Sequence, residues 1–175
     1  MKLKNRILQF MLIAFVATSC NMANFNRYPG KKLDQVPKQY LGFYEDPTGK
    51  DTNTILVLPN SWIEYGTKPK IHPIGDSMVI SEYKNNHFIS FRNESNAYWE
   101  VYLAKQNRKM LYLYPALYSP TGEKKLQHLA KHISPKMDAD SNYWFEMNEE
   151  ELMKYFKKNI NKDDALKLKK KTNSQ

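Results

Sequence analysis

Few residues in this chain have types and spacing that could do chemistry. His128 and His132 stand four apart. On a helix they would share one face and could hold zinc. However, no glutamate follows His128, and Lys124, Lys125 and Lys131 surround the pair with charge that repels a cation. The ordinary reading is two surface or half-buried histidines, and no metal is assigned. Glu64 and Glu100 each lie among strand-forming aromatics. On a solvent face they would do no more than hydrate. Facing inward, either could orient a ligand. Glu45 and Asp46 adjoin a turn, where solvated carboxylates are expected. The aromatic set that includes Tyr44, Trp62, Tyr98, Trp99 and Tyr112 combines apolar bodies with hydrogen-bonding tips. Such side chains fill cores, and they also face ligands or partners. There is no Gly-x-Ser-x-Gly elbow, no glycine-rich phosphate loop and no cysteine pair. No catalytic residue and no cofactor follow from these residues.

The N-terminus carries a different kind of chemistry. Lys2, Lys4 and Arg6 form a basic head, residues 7–17 form an apolar run broken only by Gln9, and Ala17, Thr18 and Ser19 lead to Cys20. Basic head, short apolar core and small residues are the order of a secretory signal. A run of eleven residues is too short to span a bilayer, which needs about 20. A cysteine at the cut resembles a bacterial lipobox, with Ala17 where leucine is usual. That resemblance implies residues 1–19 as a signal and Cys20 as the lipidated first residue of a 156-residue remainder. Two or three acyl chains hold stably where one does not.

The formal charge of +9 is unevenly placed. Residues 1–19 carry +3 and residues 157–175 a net +5, which leaves +1 for the body. A nucleic-acid-binding domain would keep its basic patch on the folded body, so no nucleic-acid partner is expected. A single cysteine excludes an intramolecular disulfide, so stability must come from burial, for which 13% aromatic residues supply area.

Residues 20–36 contain Pro29-Gly30 and few branched apolar residues, which predicts a flexible linker. Residues 37–160 form the folded domain. Strands are predicted at 40–45, 54–58, 62–65, 78–83, 87–91, 98–103 and 110–114, each rich in β-branched or aromatic residues and bounded by turn formers. Short connections predict antiparallel hairpins. Trp99, Val101 and Leu103 should share one face against Tyr98, Glu100 and Tyr102. Core positions are expected at Ile55, Val57, Ile63, Ile80, Ile89, Val101 and Leu111 or Leu113. Asn148 followed by three glutamates predicts a capped helix over 149–160, with Leu152, Tyr155, Phe156 and Ile160 at helical spacing. Residues 161–175 read as a solvated basic tail, deletable at little cost.

Seven strands in series, opened by Leu41-Gly42-Phe43-Tyr44 and followed by a helix, resemble the lipocalin-like or calycin group. Tyr44 stands where that group places tryptophan. The pattern is also similar to small lipoproteins of the Bacteroidetes type. The resemblance implies a mainly β chain, an antiparallel meander closing into a barrel with a C-terminal α-helix. It implies outer-membrane attachment through Cys20, facing the periplasm. Partners would be the membrane and a small apolar ligand or an envelope protein. The leading expectation is a non-catalytic binding module. A small envelope enzyme and a structural subunit of an envelope complex are the alternatives.

Overall fold

The computed structural model describes residues 23–48, 54–66, 68–75, 77–93, 98–116, 129–137 and 143–171. Cys20, residues 1–19 and His128 lie outside them. Thirteen strands and one long helix make up the described fold. In chain order the strands are β1 (Asn24–Phe25), β2 (Lys31–Lys32), β3 (Gly42–Glu45), β4 (Thr54–Leu58), β5 (Ser61–Tyr65), β6 (Lys70–Pro73) and β7 (Met78–Tyr83). They continue with β8 (Asn86–Arg92), β9 (Trp99–Asn107), β10 (Met110–Pro115), β11 (Pro135–Met137), β12 (Tyr143–Phe145) and β13 (Leu166–Lys170). Helix α1 (Glu149–Asn159) precedes β13.

The expectation of a mainly antiparallel β fold with a late helix holds, and the sheet curls into a half-barrel compatible with a calycin-like fold. β3 to β6 and β7 to β10 are two meanders paired between sequential neighbours. The β7–β8 hairpin closes on Lys84 and Asn85, both at positive φ (48° and 60°), which matches the twist of the flanking strands. β13 joins the two meanders by pairing with β10 on one side and β3 on the other. No ladder joins β6 to β7; only the isolated bridge between Ile74 and Met78 lies there. The cylinder therefore stays open along that seam.

The alternation along β8, β9 and β10 splits the core in two. Ile89, Ala104, Leu111 and Leu113 point into the curl with Tyr44, Val57, Met78 and Ile80. Phe88, Val101, Leu103 and Tyr114 point outward, beneath α1. The helix thus flanks the sheet on its outer side. Its N-cap Asn148 accepts from the backbone N–H of Glu151, three glutamates open it and Lys157 and Lys158 close it, which suits the helix dipole. Leu152, Tyr155 and Phe156 are buried; Glu150, Lys154 and Lys157 face solvent.

Four expectations need correction. First, residues 23–36 are docked rather than a free linker. Ala23, Phe25 and Val36 are buried. β1 extends the edge of β9 that β10 leaves uncovered, and it meets β12 in parallel through Phe25 and Phe145. The Arg27 guanidinium forks onto Glu149 at 2.5 and 3.2 Å, and Gly30 N–H donates to the same carboxylate. Gly30 sits at φ +69°, and a Cβ there would overlap the Glu82 carbonyl. Composition counts apolar residues; it does not see an open strand edge. Second, residues 161–175 are not simply a solvated tail. Leu166 to Lys170 form β13, with Leu168 buried opposite Leu111. Leucine and lysine alternate there at the period of a strand, and the lysines keep their heads in water. Third, Ile63 is only half-buried, because β5 turns Trp62 inward instead. Fourth, Ile160 caps the helix and is exposed, and residue 40 ends a 3₁₀ turn before β3 begins at Gly42.

Candidate functional site

A cavity of about 490 Å³ opens at the unsealed end of the curl. Seven strands contribute to its walls. β5 contributes Trp62 and Glu64, and its neighbour β6 contributes His72 and Lys70 directly opposite them. β8 contributes Phe91, which lies across from Glu100 on β9. Tyr102 follows Glu100 two residues on, so the strand period returns it to the same face. Ile55, Leu113 and Leu166 supply apolar surface.

Phe91 organises the aromatic wall. Its ring meets Trp62 edge-on at 6.0 Å, His72 at 5.2 Å and Tyr102 at 5.9 Å. Edge-to-face contacts of this kind restrict each ring. The charged groups differ in how they are compensated. His72 Nε2 lies 3.5 Å from a Glu64 carboxylate oxygen. Arg92 is exposed at the rim. Glu100 is half-buried, and burial pushes its carboxyl above the usual carboxylate range, opposed by the charge of Lys70. Among the described residues, none donates a hydrogen bond to Glu100 and none pairs with it within salt-bridge distance. Trp62 and Ser77 each bury a polar atom, the indole N–H and the hydroxyl, that makes no hydrogen bond.

The candidates drawn from the sequence separate cleanly. Trp62, Glu64 and Glu100 come together in the cavity. Tyr44 does not: it is fully buried in the inner core, its hydroxyl donates to the Tyr40 carbonyl at 2.9 Å, and burial pushes its pKa to about 12. Tyr98 stacks on Trp144 at 5.8 Å and Trp99 meets Tyr28 edge-on at 5.4 Å, both away from the cavity. Tyr112 stacks on Tyr114 on the outer face. His132 is tied to Glu151 at 3.1 Å. Among the described residues no group of three or more His, Cys, Asp or Glu side chains gathers as metal ligands would.

Lys70 and Phe91 do not stand out in the sequence as site residues, whereas Tyr102 belongs to the aromatic set and His72 is one of the four histidines. Phe91 and Tyr102 were legible, since the first shares parity with Ile89 and the second with Glu100. His72 and Lys70 lie on β6, where Pro69 and Pro73 argue against a strand. β6 is the sheet edge, where proline is tolerated.

The opposite end of the inner core carries another hollow, of about 510 Å³. There the Tyr40 hydroxyl and His87 Nδ1 are 3.1 Å apart, and burial lowers the Lys105 pKa. Among the described residues of the main cavity, the Ser77 hydroxyl has no hydrogen-bond partner. The arrangement therefore supports holding and orienting a molecule, through an aromatic wall and a carboxylate short of donors. Compared with known proteins, the chain matches no family model, no curated protein and no solved structure.

Proposed function

We propose that this chain is a lipid-anchored, non-catalytic binding module of a bacterial envelope that holds a small ligand in the mouth of its half-barrel. The observation that carries the reading is the 490 Å³ cavity. Its volume falls in the range of small-molecule sites, about 300–1,000 Å³, and it combines apolar and aromatic walls with a few convergent polar groups. The anchor half of the proposal rests on the basic, apolar and small-residue order before Cys20. Periplasm-facing attachment to the outer membrane, as in small Bacteroidetes-type lipoproteins, is part of the same reading. Ala23 is already buried in the fold, three residues after Cys20. Three residues span at most about 11 Å, so an acyl anchor would hold the domain close against the bilayer.

Two experiments test the two halves. Labelled palmitate should enter the full-length protein and be lost in Cys20→Ser, with the variant leaving the membrane fraction. Native mass spectrometry of the protein released gently from its host membrane should show a bound small molecule, absent from Ser77→Trp, which fills the cavity from its wall. An unlabelled wild type would reject the anchor. Identical, ligand-free spectra for both proteins would reject the binding site.

A further inference from the structure

We propose that the ligand of this cavity carries a protonated amine beside an apolar or aromatic body, with the ammonium received by Glu100 and the body by Trp62, Phe91 and Tyr102. The inference deepens the binding reading above and rests on it.

Glu100 is the starting point. A carboxylate that loses water must gain donors, or it destabilises the fold. Glu100 has lost part of its water and receives no hydrogen bond from the described residues. Glu64 stands beside His72, and Lys70 lies opposite Glu64 in register while its charge also acts on Glu100. Arg92 stays in solvent at the rim. Glu100 therefore lacks a hydrogen-bond donor in contact with it, although Lys70 lies near enough for its charge to act on it; Trp62 and Ser77 are the other polar groups of the wall that a ligand could engage.

The register places aromatic surface within reach of that same point. Phe91 is the cross-strand partner of Glu100, and Tyr102 is its neighbour on the inner face. Phe91 also contacts Trp62. An alkylammonium or arylalkylammonium would set its charge against the carboxylate and its carbon skeleton along these rings. A cation within about 6 Å of an aromatic face gains further attraction, most when desolvated. An anionic ligand would be repelled by Glu100. A neutral hydroxyl could donate to the carboxylate but would bring no charge to balance it.

Three probes of matched shape separate these cases: phenethylamine, phenethyl alcohol and phenylacetate, titrated into the full-length protein in detergent by calorimetry. Phenethylamine should bind, with the alcohol and the carboxylate at least about tenfold weaker, the worth of one charge-assisted hydrogen bond. Glu100→Gln should weaken phenethylamine by a similar factor and leave the weak alcohol binding unchanged. Glu100→Asp, which keeps the charge, should recover part of the loss. Equal affinity for amine and alcohol, or an amine affinity indifferent to Glu100→Gln, would overturn the amine assignment while leaving a binding cavity in place. Tighter binding of phenylacetate would do the same. Failure of all three probes to bind would overturn the amine assignment. If Ser77→Trp also leaves the native mass spectrum unchanged, the binding reading falls with it.

Discussion

The two faces of the β8–β9–β10 sheet are built from the same strands and treat polarity in opposite ways. On the outer face, Phe88, Val101, Leu103 and Tyr114 are covered by Leu152, Tyr155 and Phe156 of α1 and by Phe25, Phe145 and Met147. The charges that join these parts, Arg27 with Glu149 and Lys84 with Glu150, sit at the border of that contact. On the inner face, Ile89, Ala104, Leu111 and Leu113 form an equally dry floor. Further along β8 and β9, the same face presents Phe91 and Glu100 to an open cavity. A sheet that wanted only stability would close both sides. The difference gives the outer face to packing and leaves the inner mouth open, where the proposed ligand would sit.

Removing β13 should have the largest effect on this division. Deleting residues 166–175 strips the strand that joins the two meanders and exposes the edges of β10 and β3. We expect loss of cooperative unfolding in circular dichroism, because the inner floor then has no continuous wall. A melting temperature unchanged by the deletion would show that the segment is the solvated tail its composition suggests.

The next largest effect should come from the outer face. Phe156 is buried and packs against Phe88, with ring centroids 6.2 Å apart. Phe156→Ala should cost about 3–5 kcal/mol, against a typical domain stability of about 5–15. Denaturant titration measures this. Ligand affinity of the folded fraction should be unchanged, since Phe156 lies on the far side of the sheet. Gly30→Ala should follow at about 1–3 kcal/mol, from the cost of a side chain at positive φ and its overlap with the Glu82 carbonyl. A negligible cost would mean that residues 23–36 are not docked.

The smallest effect sharpens the comparison most, because its sign is opposite. Glu100→Gln should raise the melting temperature of the unliganded protein slightly at neutral pH. The folded-state pKa of Glu100 is raised above the usual 4.5 by burial. Below the ordinary carboxylate range the residue is neutral in both folded and unfolded chains and costs nothing. As pH rises through the raised folded value, ionisation in the half-dry cavity takes stability away. The gap between variant and wild type should therefore open with rising pH. Among the described residues, Lys70, Glu64, His72, Arg92 and Tyr102 are the other charged or titratable groups around the cavity, and each is present in both proteins. A variant less stable than wild type at neutral pH would give Glu100 a structural role.

Much of this was legible in the sequence, for reasons that also explain what was not. The paired alternation of Trp99, Val101 and Leu103 against Glu100 and Tyr102 reports which side chain faces which layer. It put Glu100 and Tyr102 on one face without saying which of the two faces looks inward. Asn148 and its glutamates announced α1 because capping is a local interaction. The docked segment 23–36 and β13 were not legible, because each is held by an edge supplied from elsewhere in the chain. Lys31-Lys32 and Leu166 to Lys170 look like solvent-loving runs until β7, β10 and β3 offer them hydrogen bonds. The aromatic set misled for a related reason. Tyr44, Tyr98 and Tyr112 are the same chemistry as Tyr102, and only the three-dimensional curl decides which of them borders a cavity.

The chain has three tryptophans, and they sample the two regions. Trp62 borders the cavity, whereas Trp99 and Trp144 belong to the exterior contacts with Tyr28 and Tyr98. Nuclear magnetic resonance of the three indole N–H groups during a phenethylamine titration tests the central claim most directly. The Trp62 signal should move to saturation while the other two stay in place. Movement of Trp99 or Trp144 with Trp62 unmoved would contradict the account and put the binding surface on the outside of the molecule.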